Sequence, residues 1–396
     1  MLAGGAFHDK QFRLFFVGVF FAVQAIWVQR VTLGWIAWER TESASFVGLV
    51  AALSLVPSLV TGPLFGVMAD RVDIRRAALV TNGLMASVLA LLAVSLPFVG
   101  APGLAAAALV IGLISSAHHP VRMSLGPRLV PADMAQHVVA VTALNFNLAR
   151  LMAPVLAGWV IASLGAGVAL WVSVACYIPM LAVLPRLIAR DLPPRDCAPF
   201  LTDLVEGMRY AATAPLIRQA LLLTTVFAIS VRGALEVLPV LADGAFARGA
   251  SGLGMLTAAA GGGALISATL KAAGAGAVGA RIPVAVLVVA MAGQGAVMAM
   301  GLAPNWPLAL AATALAGFCS TYCGVSLQAA IQSDLPDAYR GRVMSLWIVV
   351  GFGAVALGAF AVGAMADRLG IGLGLIVLGA LGALGQGAVI LGGARR

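Results

Sequence analysis

Gly62-Pro-Leu-Phe-Gly66-Val-Met-Ala-Asp70-Arg71-Val-Asp73-Ile-Arg75-Arg76 is the stretch on which the reading of this chain turns. An apolar run stops at Met68-Ala69, five charges follow between positions 70 and 76, and a second apolar run starts at Ala77. Each ionised group inside hydrocarbon costs several kcal/mol, so this charged hairpin belongs at a membrane surface, between two spans.

Working outward, the whole chain has the same character. Of its 396 residues 62% are hydrophobic and 10% charged, against about 25% charged in soluble domains. Mean hydropathy is +1.04. The 46 glycines suit helices that pack closely in lipid. Apolar segments of about 20 residues, the length that crosses a bilayer, recur twelve times: roughly 14–38, 45–68, 77–98, 103–122, 137–163, 166–187, 216–242, 250–272, 282–303, 306–328, 343–366 and 371–393. The first is too long for a signal-peptide core and reads as a retained span. The fold class is therefore an all-α integral membrane protein with twelve transmembrane helices.

The polar stretch around Pro193-Pro194 divides the spans, giving residues 1–187 and 216–396 as two six-helix bundles. Linker 188–215 carries apolar residues at helical spacing from Phe200 to Tyr210, the pattern of an amphipathic helix on a membrane surface. The net charge of +9 is first a matter of orientation, and with no basic soluble domain to carry it, nucleic acid is not an expected partner. Of the 24 Lys and Arg residues, Arg30, Arg150 and Arg232 fall inside spans, and Arg40, Arg248 and Arg368 on one side of the membrane. The other 18 share the opposite side, which the positive-inside rule makes cytoplasmic, with both termini.

The halves repeat at an offset of 205. Arg13 matches Arg218, Pro131 matches Pro336, Gly158 matches Gly363, and Leu164-Gly165 matches Leu369-Gly370. Six-span repeats point to a transporter with its site between the halves.

These features resemble the major facilitator superfamily. Gly66, Asp70, Arg71, Arg75 and Arg76 match its signature loop between spans 2 and 3, with Asp73 where glycine is usual. Trp27-Val-Gln-Arg30-Val-Thr-Leu-Gly-Trp35, His119-Pro-Val-Arg122 with Pro127-Arg-Leu-Val-Pro131, Asn145-Phe-Asn-Leu-Ala-Arg150 and Arg340-Gly-Arg-Val-Met-Ser345 are similar to the enterobactin-exporter-like and macrolide-efflux-like branch. The resemblance implies the major facilitator fold of two pseudo-symmetric bundles, with spans 1 and 7 lining a central cavity and span 5 bordering it. It also implies that the signature loop gates the cavity, touching cytoplasmic ends of the other half. Gly66, Asp70, Arg71, Arg75, Arg76, Arg128, Arg340 and Arg342 are the gating residues on this reading. Gly363-Ala-Met-Ala-Asp-Arg368 echoes the signature but follows span 11, and is taken as coincidental or structural.

Ionisable residues inside spans usually face a pathway. Arg30, Arg150, Arg232 and Glu236, with Trp27, Gln29 and Asn147, are the candidate substrate-binding residues. Three cations against one acid favour an acidic substrate held by charge-assisted hydrogen bonds; as architecture, the same arginines would bond carbonyls between helices. Arg232 and Glu236 are four apart and can pair on one helix face. With no GxxxxGK[ST] loop for a nucleotide, energy falls to protons, carried by Glu236, Asp70, His118 or His119; an adjacent histidine pair can present only one ring to a pathway. Cys319 and Cys323, a turn apart, lack sequence-near His or acidic ligands, so no metal and no cofactor is expected.

No spacing suggests an enzyme. The expected function is a secondary active transporter working by alternating access, exporting a small amphipathic acidic molecule, siderophore-like or similar, by proton antiport. Efflux of neutral or cationic drugs, import or metal transport, and a non-transporting receptor are the alternatives. The expected setting is the inner (plasma) membrane, with a small-molecule substrate, protons and lipid as partners and the chain monomeric.

Overall fold

Helix starts are written in side chains that take the first orphan backbone N–H groups. Asp9 accepts from the N–H groups of Gln11 and Phe12, Ser43 from Phe46, Asp73 from Arg75 and Arg76, and Asn305 from Leu308. Asp73 thus caps a helix where the signature loop usually has glycine. The structure, a computed structural model, describes residues 7, 9–61, 65, 72–131, 134–190, 200–274 and 282–394. Gly66, Asp70 and Arg71 of the signature loop lie outside the described residues.

The six helices of the first half are α1 (Lys10–Thr41), α2 (Ala44–Leu55, with a further turn Pro57–Val60), α3 (Ile74–Ser95), α4 (Ala101–Leu125), α5 (Ala135–Leu164) and α6 (Ala166–Val183). A linker helix, α7 (Phe200–Thr213), precedes α8 (Pro215–Phe227), α9 (Gly249–Ala272), α10 (Val284–Leu302), α11 (Trp306–Asp334), α12 (Asp337–Leu369) and α13 (Ile371–Ala394). Among the described residues eleven helical segments are long and apolar enough to cross a bilayer; α2 with its further turn, Ala44–Leu59, is a shorter apolar helix.

In the first half α1 packs on α5 and α6, and α3 on α4 and α6; in the second, α9 and α10 pack on α11, and α10 and α12 on α13. Two seams join the halves, α2 against α12 and α5 against α9. Lipid supplies no hydrophobic drive between helices, so close backbone approach must hold these seams. A Cβ on Gly158 would strike the backbone of Ala250 and Gly254, and one on Gly363 would strike Ala44 and Ser45. Those two glycines are partners in the 205-residue repeat, and each sits in the equivalent seam. The repeat extends to helix ends: Gly165 (φ +90°) closes α5 and Gly370 (φ +82°) closes α12, a left-handed region that glycine enters without a Cβ penalty.

Both seams are in close backbone contact at the end of the bundle where α1 stops and α2 starts, opposite the linker helix. Asp367 reinforces that far end. Its carboxylate accepts from Ser43 Oγ at 2.8 Å, Ala44 N at 2.7 Å and Ser45 N at 3.0 Å. The signature-like string at the end of α12 is therefore structural: it caps α2 from across the seam, charge against the positive helix terminus.

At the opposite end α7 docks on the start of α12. Tyr210 stacks on Tyr339 at 4.2 Å, and Glu206 pairs with Arg342 at 2.5 Å. The expected amphipathic helix is present, but its polar partner is Arg342, assigned from sequence to the signature-loop gate. Arg75 donates to the Leu187 carbonyl, Arg76 pairs with Asp73, and buried Arg128 accepts through its carbonyl from Arg190 N. These arginines hold the linker end of the first half together.

Candidate functional site

The span after α8 is not the continuous helix that its hydropathy suggests. It widens into a π-helical turn at Ala228–Arg232, breaks around Glu236, and resumes with a second π-helical stretch at Val240–Ala245. Pro239 has no N–H to offer the Leu235 carbonyl, which removes one rung of the helical ladder. Glu236 N bonds the Gly233 carbonyl instead, at 3.1 Å. Irregular backbone at membrane depth survives where it is buried or lines a cavity.

A cavity of about 540 Å³ lies there, between the halves. The break turns Glu236 towards α1, where it forms an ion pair with Arg30. The expected Arg232–Glu236 pair is thus replaced: the interrupted helix loses the regular four-residue spacing on which it depended. Arg30 lies over the Trp27 ring at 5.6 Å and Arg150 lies over the same ring at 5.8 Å. Arg150 also reaches Thr321 Oγ1 on α11, at 3.5 Å. Arg232, although deep in the bundle, is exposed to the cavity. Trp27 is buried, and its indole Nε1–H has no partner.

His118 and His119 both border the cavity but differ in setting. His118 is buried, with Nε2 at 3.3 Å from Asn82 Oδ1 and its ring edge-on to Tyr177. Tyr177 in turn donates to Gln29 Oε1 at 3.2 Å. His119 is exposed to the cavity. One ring of the pair faces the pathway, as adjacency on a helix requires.

Two expected binding residues are placed elsewhere. Gln29 is buried between α1 and α6 as the acceptor for Tyr177, and Asn147 donates to the Ala143 carbonyl of its own helix. Neither is among the lining residues. Arg122 and Phe146 are lining residues that escaped the sequence reading. Arg122, counted there as a surface charge, lies over the Phe146 ring at 5.5 Å, and Phe146 stands 5.6 Å from Trp27. The available signal was spacing: His118 and Arg122, like Phe146 and Arg150, are four apart and share helix faces.

Among the described lining residues four arginines face one carboxylate, that of Glu236. Cys319 and Cys323 are buried in α11, where Cys323 Sγ points to the Val286 carbonyl. The described residues hold no group of three metal-ligating side chains. Arranged this way, the site can bind a negatively charged molecule with aromatic faces beside it.

The transmembrane secretion effector family profile (MFS_3) matches residues 4–392. The enterobactin exporter EntS of Shigella boydii serotype 4 (strain Sb227) is 26% identical over 391 residues, covering 93% of this chain and 90% of the relative. EntS of Escherichia coli O139:H28 (strain E24377A / ETEC) gives the same figures. Among solved structures, the nucleoside transporter NupG superposes with a TM-score of 0.72 at 12% identity, covering 96% of this chain and 98% of that one. The human organic anion transporter TETRAN superposes at 0.66 with 18% identity, covering 96% and 99%. At such identities these structures speak for the fold alone.

Proposed function

The chain belongs to the transmembrane secretion effector family of major facilitator transporters, and from that membership we propose that it exports a small amphipathic, acidic molecule by proton antiport. It is a multi-pass membrane transporter and not an enzyme. The observation that carries the substrate charge is the lining itself: Arg30, Arg122, Arg150 and Arg232 against Glu236. In a cavity sheltered from bulk water, such an excess is most stable when an anion completes it. A cationic drug would meet the opposite field.

Alternating access accounts for the seams. Both are closed at the far end, and the cavity runs from Arg30 and Glu236 towards Arg122, Gln328 and Trp347 on the linker side. With the positive-inside rule placing the linker in the cytoplasm, this is the state that loads substrate from inside. The Arg30–Glu236 pair joins α1 to the broken span, so it ties one half to the other. Protonation of Glu236 from outside would release Arg30 and so loosen that tie between the halves. That shifts the balance between two packings, as coupling requires. The relatives named as enterobactin exporters make a siderophore-like acid the class to try first.

The test is uptake into proteoliposomes of a labelled aromatic monocarboxylate, driven by a pH gradient. Arg232→Gln should lower transport about tenfold, the loss of one charge-assisted contact. Unchanged transport in that variant would overturn the anion reading.

A further inference from the structure

The cavity's basic groups stand at two levels. Arg30, Arg150 and Arg232 gather around Glu236, while Arg122 stands apart on α4. Between them lie two aromatic rings. The order is Arg122, then Phe146 at 5.5 Å, then Trp27 a further 5.6 Å on, then Arg150 at 5.8 Å. Phe146 and Arg150 are four residues apart on α5, which sets their levels about one helical turn apart. Arg122 Nε is buried with no hydrogen-bond partner. A buried guanidinium N–H left unsatisfied is costly, and no acidic side chain is among the described lining residues near it; the carboxylate of the lining, Glu236, is already taken by Arg30. Its neighbours in the lining are His118 and His119, which cannot neutralise it.

We infer that Arg122 is a second anionic subsite, and that the transported molecule carries two acidic groups separated by an apolar or aromatic body. One group would sit between Arg150 and Arg232 and the other against Arg122. The body would lie along Phe146 and Trp27. This rests on the anion reading above and narrows it from any amphipathic acid to a bipolar diacid. Two arginines at the ends of an aromatic strip favour such a molecule over a compact dianion, which could engage only one level. They also favour it over a monoacid, which would leave Arg122 uncompensated.

The measurement uses the full-length protein in lipid nanodiscs, with quenching of tryptophan fluorescence as the readout. The probes are biphenyl-4-carboxylate and biphenyl-4,4′-dicarboxylate, equal in body and different in one acid. Wild type should bind the diacid about tenfold or more tightly than the monoacid. Arg122→Gln should bring that ratio to about one, and Arg122→Lys should restore most of it. A wild-type ratio near one, or a ratio unchanged in Arg122→Gln, overturns the second subsite. The underlying anion reading fails separately: it falls if neither acid binds wild type, or if Arg232→Gln leaves both affinities as they were. Isophthalate serves as the compact dianion, and a preference for it over the biphenyl diacid would also overturn the two-level arrangement.

Discussion

Glu236 is the residue whose role depends most on its surroundings. It is the carboxylate among the described lining residues, and it is held by Arg30 from the other half of the molecule. Glu236→Gln keeps the shape and removes the charge. In proteoliposomes this variant should lose transport driven by a pH gradient by more than about tenfold. It should retain exchange of labelled for unlabelled substrate, which needs no net proton movement. Gradient-driven transport at the wild-type rate would remove Glu236 from the coupling. At this scale the sequence was partly legible. Arg30, Arg150, Arg232, Glu236 and Trp27 stood out because charge and indole are rare within apolar spans, and all five line the cavity. Arg122 was missed because an arginine near a span end is ordinarily a surface anchor, and only the tertiary fold puts it over Phe146 of α5. Gln29 was over-read because polarity within a span does not reveal whether the partner is a substrate or, as here, Tyr177.

Among the elements, the seams between halves repeat one device, a glycine laid against opposing backbone. Among the described residues only one of them carries an ionic cap, Asp367 over the start of α2. Asp367→Asn leaves a weaker acceptor and removes the charge that faces the helix terminus. That costs about 1 kcal/mol, enough to shift a two-state balance several-fold. Spin labels on the far ends of α2 and α12 should report a larger separated population in double electron–electron resonance, and an unchanged distance distribution would show that the cap does not hold the seam. Gly363→Leu in the same seam meets the backbone of Ala44 and Ser45 directly, so it should separate those labels further than Asp367→Asn does. The repeat at offset 205 anticipated the equivalence of Gly158 and Gly363, since both seams impose the same steric demand. The Asp367 cap could not be anticipated, because its acceptor and donors lie more than 300 residues apart.

For the whole molecule, α7 ties the covalent link between halves to the linker end of α12. The Glu206–Arg342 pair is partly exposed and worth little by itself, about 0–1 kcal/mol. The Tyr210–Tyr339 stack adds shape to the contact. Glu206→Ala combined with Tyr210→Ala should therefore leave thermal stability in detergent within about 2 °C, while lowering the transport rate several-fold. A large fall in melting temperature would instead make α7 a structural strut.

Composition, span length and charge bias determined that this chain is a helical membrane protein of two related halves, because hydrocarbon tolerates little besides satisfied helices and penalises charge wherever it is not needed. The same rarity of charge marked the cavity arginines in advance. Tertiary structure alone decided their partners. The break at Glu236 put its carboxylate against Arg30 of the other half, and the approach of Arg122 to Phe146 across the fold drew it into the lining. The signature loop from which the fold was read has Arg75 and Arg76 anchored within the first half. At the linker end the linker helix α7 docks on α12, and the ionic cap on the α2–α12 seam is at the far end. Helical spacing is a local quantity, whereas contact across a seam depends on which faces two distant helices present to each other.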